Sequence, residues 1–280
     1  MNASSQIAII GPGVMGEAVI AGIIHRSIAS PQQITAAGPE QHRLDDLCAR
    51  YGIRATRDNA EAARAADLVV LSVKPQRLKF ALPSLRGQLK PDALAVSIVA
   101  GATMESITAG LQHPHLVRAM PNTPGQIGEG ISVWTASAGL SAAQKEQAAE
   151  LLTALGEHIY MEEESYLDMA TALSGSGPAY VFMFMEAMID AGVHLGFPRR
   201  IAEQLVEQTL RGSVDYYAHK KNHPAQLRNE VTSPGGTSAA ALYYLEKAGF
   251  RTAVSRAIWA AYERSQELGR GRDTQIPEKG

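Results

Sequence analysis

Short apolar runs alternate with longer helix-like stretches through the first half of the chain. The runs are rich in β-branched residues and have no polar face; they cover residues 7–10, 34–37, 68–73, 94–99 and 116–120. The stretches between them, such as residues 16–28 and 40–51, are rich in alanine and leucine. Strands without a polar face are typical of a parallel sheet covered by helices on both sides. This pattern predicts a doubly wound, mostly parallel α/β domain.

The pattern changes near residue 163. Before it, a further strand, helix and strand are predicted at residues 131–135, 141–156 and 158–161, and Ser141 with Gln144 forms a capping box. After it, all segments are helix-like, without a strand signal: residues 166–172, 178–195, 198–218, 237–248 and 250–268. We therefore predict an α/β domain at residues 1–163 and an all-helical domain at residues 164–280. The last ten residues, 271–280, are expected to fray.

Composition narrows the class of protein. The 280 residues are 45% hydrophobic and 19% charged, with a net charge of −2, which is ordinary for a globular protein and favours neither nucleic acid nor membrane as a partner. Cys48 has no second cysteine for an internal disulfide. The most apolar long stretch, residues 179–197, contains Glu186, Asp190 and His194. Without a basic leader at the start, these features predict a soluble cytoplasmic protein.

A glycine turn follows the first predicted strand and opens a helix. Residues 11–16 read Gly-Pro-Gly-Val-Met-Gly. In such a turn Gly11 permits the tight bend, Gly13 lets a pyrophosphate approach the backbone, and Gly16 permits close packing of helix on strand. The order of strand, turn and helix predicts a Rossmann-type dinucleotide site, with Val14 and Met15 at the helix start facing the phosphates.

The end of the second strand indicates which dinucleotide is bound. NAD-preferring proteins place an acid there, but this chain has Gly38, and Glu40 comes later, with His42 and Arg43 beyond it. Absence of the acid removes repulsion against a 2′-phosphate, which Arg43 could meet. We therefore favour NADPH, with NADH as an alternative cofactor. His42 and Arg43 could equally form a solvated helix face.

The third long strand ends in Ser72-Val73-Lys74-Pro75, at the carboxyl edge of the sheet where ligands bind. Because Lys74 precedes a proline, it is expected to leave helical geometry and to project its ammonium over the cleft. A surface lysine in a turn is the alternative interpretation.

A second glycine turn, Ser233 to Ser238, also leads into a predicted helix. Its glycines, Gly235 and Gly236, would expose backbone amides, and converging amides at a helix start suit a carboxylate. The same turn could simply cap a helix. Glu164 is a further candidate, although it could also be one acid of a solvated Glu162-Glu163-Glu164 run.

Three stretches resemble the pyrroline-5-carboxylate reductase family. They are RAMPNTP at residues 118–124, LSGSGPAY at 173–180 and VTSPGGTS at 231–238, and the family carries RxMPNTP, LSGSGPAY and VTSPGGTT in the same order and separation. The SIVAGAT stretch at residues 97–103 and Asn59 also match, so the resemblance extends to about residue 268. The departures are Gly38, where many members have a Ser/Asn-Arg pair, and Ser238, where a threonine is usual.

The resemblance implies hydride transfer from NAD(P)H to 1-pyrroline-5-carboxylate, giving L-proline as the last step of proline biosynthesis. It implies a substrate carboxylate bound by Ser233, Gly235, Gly236, Thr237 and Ser238, with Glu164 nearby, and no metal. Ser238 stands where the family's threonine bonds the ring nitrogen, and the predicted catalytic positions are Ser238 and Lys74. The predicted cofactor-binding residues are Gly11, Gly13, Val14, Met15, Gly16, Gly38, Asn59, Ser72, Val73, Lys74, Pro75, Ala100, Gly101 and Asn122.

A β-hydroxyacid dehydrogenase and a dinucleotide-sensing protein are the two alternative functions for this fold. The chemistry of an imine substrate helps to distinguish a reductase from the dehydrogenase. A protonated imine is already electrophilic, so it needs positioning more than a proton donor. Related β-hydroxyacid dehydrogenases carry a catalytic lysine on the helix after the corresponding glycine loop; here residues 178–195 contain no lysine, and His194 is their only basic residue. A dinucleotide-sensing protein, the second rival, would not need the turn at residues 233–238.

Two segments, residues 180–188 and 239–245, are apolar on more than one face. Such helices pack into a deep core or against another subunit. The resembling family forms interlocked dimers that often assemble into rings of five, so a homodimer is expected and a homodecamer is the further expectation.

Overall fold

The computed structural model describes residues 5–269. Within this range the chain forms two compact units: residues 5–176 together with residues 260–269, and residues 177–259. The boundary after residue 163 that the sequence indicates stays a prediction.

The first unit contains an eight-stranded sheet in the order β3-β2-β1-β4-β5-β6-β7-β8. All neighbouring strands are parallel except β6 and β7, which are antiparallel. The strands are β1 (Ile7–Ile10), β2 (Ile34–Ala37), β3 (Arg54–Thr56), β4 (Leu68–Leu71), β5 (Leu94–Ser97), β6 (Leu116–Met120), β7 (Gly130–Ala136) and β8 (Gly156–Tyr160). This sheet confirms the predicted doubly wound, mostly parallel α/β fold.

Only helices follow the sheet within the described residues, as predicted. The helices before and just after β8 are α1 (Val14–His25), α2 (Gln41–Tyr51), α3 (Asn59–Ala65), α4 (Pro75–Leu85), α5 (Met104–Leu111), α6 (Ala142–Thr153) and α7 (Tyr166–Ala170). The later helices are α8 (Gly177–His194), α9 (Arg199–Lys220), α10 (Pro224–Glu230), α11 (Thr237–Lys247) and α12 (Phe250–Gly269).

Two hydrophobic cores lie on opposite faces of the sheet because successive strand residues point to opposite sides. Ile7 and Ile9 of β1 join one core with buried residues of α1, α2 and α6. Ala8 and Ile10 join the other core with buried residues of α3, α4 and α5. Burial on both faces explains why the central strands read as continuous apolar runs.

The sequence patterns gave no indication of strand β3 or helix α10. Strand β3 is only Arg-Ala-Thr, too short and polar to show a strand pattern, and it exists through its pairing with β2. Helix α10 is a short polar helix that begins at Pro224, where the His223 ring nitrogen accepts a hydrogen bond from the Ala225 amide at 3.2 Å. Strands β4 and β5 also end two residues before the predicted limits, because the apolar composition continues into the turns that follow.

The LSGSGPAY stretch begins inside a helical turn. Thr171–Gly175 is a π-helical turn directly after α7, closed by the Ser176 amide donating to the Thr171 carbonyl at 2.8 Å. A Cβ on Gly175 would lie 2.8 Å from the Met120 methyl, so the glycine permits close packing on the end of β6. Pro178 is the second residue of α8, not the first.

The second unit exposes many large apolar side chains. No residue of α8 or α11 is buried, and Phe182, Met183, Tyr243 and Tyr244 are all exposed. Of the two sequence-based alternatives for residues 180–188 and 239–245, a core of the single chain is therefore excluded. Among the helices between residues 5 and 269, none combines the length and apolar character needed to cross a membrane.

Candidate active site

The predicted cofactor-binding residues lie at one edge of the sheet. Strands β1, β2, β4, β5 and β6 are parallel, so their carboxyl ends meet at the same edge. Gly11 directly follows β1, Gly38 follows β2 and Ser72 follows β4, while Ala100 and Asn122 come a few residues after β5 and β6. The structure therefore brings together residues that are far apart in the sequence.

The three glycines of the first turn have different structural roles. Gly11 has a φ of 83°, and a Cβ there would lie 2.4 Å from Val73 Cγ1 and 2.8 Å from Val73 Cα. A Cβ on Gly16 would lie 2.7 Å from Ser72 Oγ. In contrast, no atom lies within 4 Å of a Cβ built on Gly13. Gly11 and Gly16 are thus required for packing, and Gly13 leaves the backbone open to a ligand.

The open side of this turn is the start of α1. Gly13 is the N-cap, and the Val14 side chain is 61% exposed. The first backbone amides of a helix have no partner within the helix and carry its positive dipole end, which suits an anion. The exposed turn and the accessible backbone at Gly13 fit the pyrophosphate of a dinucleotide.

Strand β4 supports the turn from the side. The Ser72 hydroxyl lies 2.9 Å from the Gly11 carbonyl and 3.1 Å from the Ile10 carbonyl, so it holds the turn in place. Lys74 is the N-cap of α4, and Pro75 is its first residue, as the sequence indicates. The Lys74 side chain is exposed and has no ion-pair partner among residues 5–269. Its ammonium is available at the carboxyl edge.

Arg43 is bound to the protein around the glycine turn. Its Nε donates to the Pro12 carbonyl at 3.2 Å, and its guanidinium also contacts the carboxylates of Glu17 and Asp46. The description of His42 and Arg43 as a solvated face therefore applies only to His42, whose side chain is 83% exposed. Gly38 lies against the same turn, since a Cβ there would be 3.0 Å from Pro12 Cδ.

Glu17 is the acid at the centre of this cluster. Burial by itself would raise the pKa of Glu17, but hydrogen bonds from Arg43, Tyr51 and Arg50 outweigh that effect, and its pKa is lowered. The carboxylate therefore stays ionised and holds α1 against α2 behind the glycine turn.

The loop after β5 packs on the end of α12. Gly101 has a φ of 72°, and a Cβ there would lie 3.0 Å from Leu268 Cβ. Nearby on α12, the buried Ser265 hydroxyl donates to the Asp168 carboxylate at 2.6 Å. The sequence did not indicate that the last residues of α12 belong to the same compact unit as the sheet.

The two predicted asparagines are each tied to a neighbouring element. Asn59 Nδ2 donates to Ser84 Oγ at 3.1 Å, which links the start of α3 to α4. Asn122 Oδ1 accepts from the Ile131 amide at 2.9 Å, which fixes the turn between β6 and β7. Both side chains are therefore oriented by the protein itself.

Glu164 is paired with a buried arginine. Its Oε1 accepts from Arg118 Nη1 at 2.6 Å and from the Met104 amide at 2.7 Å, and Arg118 is only 4% exposed. The carboxylate thus neutralises a buried charge and caps the start of α5, unlike its exposed neighbours Glu162 and Glu163. Sequence reasoning missed Arg118 as its partner, although the arginine stands in the RAMPNTP stretch.

The second unit holds the other predicted substrate residues in one turn. The Gly236 amide donates to the Ser233 carbonyl at 3.0 Å, and Gly236 is the N-cap of α11. Gly235 has a φ of 70°, and a Cβ on Gly236 would lie 2.5 Å from Ser233 Oγ. Thr237 and Ser238 are the first two residues of α11, so this turn presents free amides beside a hydroxyl.

The doubly wound sheet and the open glycine turn at its carboxyl edge define a dinucleotide-binding α/β protein. Residues 6–101 match a family model described as NADP oxidoreductase coenzyme F420-dependent, and residues 164–268 match one described as pyrroline-5-carboxylate reductase dimerisation. The pyrroline-5-carboxylate reductase of Synechocystis sp. is 41% identical over 267 residues, covering 95% of this chain and 99% of that protein. The chain belongs to the pyrroline-5-carboxylate reductase family.

Further relatives agree. The pyrroline-5-carboxylate reductase of Pseudomonas aeruginosa is 42% identical over 264 residues, covering 94% of this chain and 96% of that protein. The crystal structure of Plasmodium falciparum pyrroline carboxylate reductase with NADP bound superimposes with a TM-score of 0.88 at 31% identity, covering 96% of this chain and all of that one. The similarity thus spans both compact units.

Proposed function

We propose that this protein is a pyrroline-5-carboxylate reductase, which reduces 1-pyrroline-5-carboxylate to L-proline in the last step of proline biosynthesis. The hydride from NADPH adds to the imine carbon, and the ring nitrogen, protonated by one proton from solution, becomes the amine. The observation that carries the proposal is the similarity to reductases of this name over nearly the whole chain. NADP, bound in the Plasmodium structure, is the proposed cofactor, with NADH as an alternative.

The cofactor would be held at the carboxyl edge of the sheet. When bound, reduced nicotinamide supplies the hydride. The amides at the start of α1, from Val14 to Gly16, would bind the pyrophosphate beside Gly11 and Gly13, where the backbone is open. Lys74, whose ammonium has no ion-pair partner in the described part of the chain, would bind a cofactor phosphate or orient the reacting groups. The other proposed cofactor positions at this edge are Gly38, Asn59, Ser72, Val73, Pro75, Ala100, Gly101 and Asn122.

The substrate carboxylate would be bound by the turn before α11. The amides of Thr237 and Ser238 open that helix, and Ser233, Gly235 and Gly236 shape the turn. The Ser238 hydroxyl would orient the ring nitrogen. No side chain is needed as an obligatory acid, because the protonated imine accepts hydride directly. Helix α8 agrees with this chemistry, since it contains no lysine.

Glu164 remains a proposed substrate-binding residue. Its Oε1 is already bonded to Arg118 and Met104, so a substrate contact would use Oε2.

The exposed apolar helices support a homodimer. Family similarity to a dimerisation model covers residues 164–268, and α8 and α11 leave their apolar residues uncovered in the single chain. A ring of five such dimers and a cytoplasmic location are further parts of the proposal. Sedimentation equilibrium and cell fractionation test them, and a stable, active monomer would contradict the dimer.

The decisive experiment follows the absorbance of reduced nicotinamide while the purified protein meets racemic 1-pyrroline-5-carboxylate. NADPH and NADH are compared separately, and the product is identified as proline by chromatography. We expect rapid oxidation with proline formed in equal amount. If protein that binds both cofactors oxidises neither, the proposed substrate is wrong.

A further inference from the structure

Two arginines lie close to the end of β2, where Rossmann-type proteins recognise the adenosine ribose. Arg43 stands on α2, and Arg57 stands directly after β3. Both guanidinium groups carry the positive charge that a 2′-phosphate requires. The two arginines differ in the protein groups that each already contacts.

Each of the three guanidinium nitrogens of Arg43 already contacts a protein group. Its Nε donates to the Pro12 carbonyl, its Nη1 lies 3.4 Å from Asp46, and its Nη2 contacts Glu17. Arg43 and Arg50 together pair with these two carboxylates, so the cluster is balanced in charge. Turning it towards a phosphate would take a charge partner from Glu17, whose side chain is largely buried.

The bond to Pro12 gives Arg43 a different role. Pro12 lies inside the glycine turn, between Gly11 and Gly13. Arg43 therefore ties α2 to the turn that presents the backbone to the pyrophosphate. A group that fixes this turn acts on every dinucleotide alike, whether or not its ribose carries a phosphate.

Arg57 has the opposite environment. The Gly38 amide donates to the Thr56 carbonyl at 3.3 Å, so the backbone just before Arg57 is hydrogen-bonded to the end of β2. The Arg57 side chain is exposed and makes no hydrogen bond or ion pair with any residue between 5 and 269. It is a free cation at the position where the ribose is read.

Asp58 and Glu61, the acids nearest to Arg57 in the sequence, contact other groups. Asp58 Oδ1 accepts from the Ala60 amide at 2.8 Å, and Glu61 contacts the Thr56 hydroxyl. Neither carboxylate pairs with Arg57. Its charge therefore remains available to an anion from solution.

We propose that Arg57 binds the 2′-phosphate of the adenosine ribose, and that Arg43 is a positioning residue for the glycine turn. This inference rests on the proposed function, because it assumes that the turn binds a nicotinamide dinucleotide. Preference for NADPH would then depend on Arg57, which follows β3, a strand that the sequence patterns do not predict.

The test measures binding rather than turnover. Dissociation constants of NADPH, NADH, adenosine 2′,5′-bisphosphate and 5′-AMP are determined by titration calorimetry on the full chain. Arg57→Gln is compared with Arg54→Gln, which removes the same charge from the other end of β3, where Arg54 bonds Gln6. Arg43→Gln and Arg43→Lys complete the set.

Arg57→Gln is expected to weaken NADPH and the bisphosphate about 10- to 100-fold, as loss of a hydrogen bond to a charged group does, and to leave NADH and AMP unchanged. Arg54→Gln should change none of the four. Both Arg43 variants should weaken all four by a similar factor, because lysine cannot reproduce the three-way contact.

An unchanged ratio of NADPH to NADH affinity in Arg57→Gln would overturn the proposal. Equal affinities of the wild-type protein for NADPH and NADH would also overturn it. So would a ratio of NADPH to NADH affinity that is lost in Arg43→Gln and partly restored in Arg43→Lys. The binding measurements contain no imine, so they do not depend on the proposed substrate. If the protein prefers NADPH through Arg57 but does not reduce the imine, the proposed substrate is wrong and this inference still holds.

Discussion

The molecule has two glycine turns that each open a helix, and their surroundings differ. In the first turn, Gly11 and Gly16 are enclosed by Val73 and Ser72 of the neighbouring strand connection. In the second turn, a Cβ on Gly235 would meet no atom within 4 Å, and only Ser233 of the turn itself approaches Gly236. Both backbones visit the left-handed region, at Gly11 and at Gly235.

This difference shows how each turn obtains its shape. The first is fixed by tertiary packing inside one compact unit, so its geometry is complete in the single chain. The second is closed by its own hydrogen bond from the Gly236 amide to the Ser233 carbonyl, and it leads into α11, a helix that has no buried residue. We therefore expect the geometry of the second turn to depend on a second subunit that covers the exposed apolar helices.

Gly11→Ala should have the largest effect. The new methyl would overlap the Val73 backbone at a positive φ, so unfolding is expected to become easier by about 2–5 kcal/mol. Affinity for both dinucleotides should fall together, because the distorted turn is shared. Urea denaturation and cofactor titration measure the two effects, and wild-type stability in this variant would show that the turn can relax.

Tyr244→Glu tests whether the second turn needs a covered surface. Tyr244 lies on α11 and is 70% exposed in the single chain. If it is buried between subunits, a charge there should weaken the dimer about 30-fold or more. Analytical ultracentrifugation gives the dissociation constant, with Gln208→Glu on the exposed side of α9 as the control. Equal dimerisation by both variants would place the interface elsewhere.

Ser238→Ala sharpens the comparison at the level of chemistry. Loss of one oriented hydrogen bond to the ring nitrogen is expected to lower kcat/KM roughly 5- to 150-fold, or about 1–3 kcal/mol. Cofactor affinity should not change, since the first turn is untouched. Ser238→Thr, which retains the hydroxyl, should keep most of the activity. Full catalytic efficiency in the alanine variant would remove Ser238 from the mechanism.

Gly235→Ala is the matched partner of Gly11→Ala. The φ of 70° still disfavours alanine, but no neighbouring atom obstructs the methyl, so we expect a loss of only about 1–2 kcal/mol. The same urea measurement applies. A loss as large as that of Gly11→Ala would mean that the assembled protein packs tightly against Gly235.

Low pH should weaken the contacts of Glu17 with α2 next to the first turn. This is the smallest effect of the five predictions. Because the pKa of Glu17 is lowered in the folded state, its contribution is complete above its unfolded value of about 4.3 and is lost as pH falls through the folded value. The stability difference between wild type and Glu17→Gln should therefore shrink on acidification below about pH 5. The exposed Glu146, replaced by glutamine, serves as the control, and a difference that is constant with pH would contradict the prediction.

Much of the fold could be predicted because its signals are local. Strands β1, β2 and β6 have the predicted bounds. β1 is a continuous apolar run, and β2 and β6 are apolar except for Thr35 and the buried Arg118. The glycine turn could also be found, because glycines at a positive φ or in close contact leave a mark on the sequence itself. The capping box at Ser141 is present for the same reason.

Other features arise only from contacts between distant residues. Strand β3 exists because β2 offers it a hydrogen-bonding edge, and the pairing of Glu164 with Arg118 joins residues 46 positions apart. Arg43 and Arg57 have the same side chain, yet Arg43 contacts two carboxylates and Arg57 has no partner within residues 5–269. Apolar runs and glycine turns are determined by residues that are neighbours in the sequence. The partner of a charged side chain, in contrast, depends on which elements the folded chain brings within a few ångströms of it.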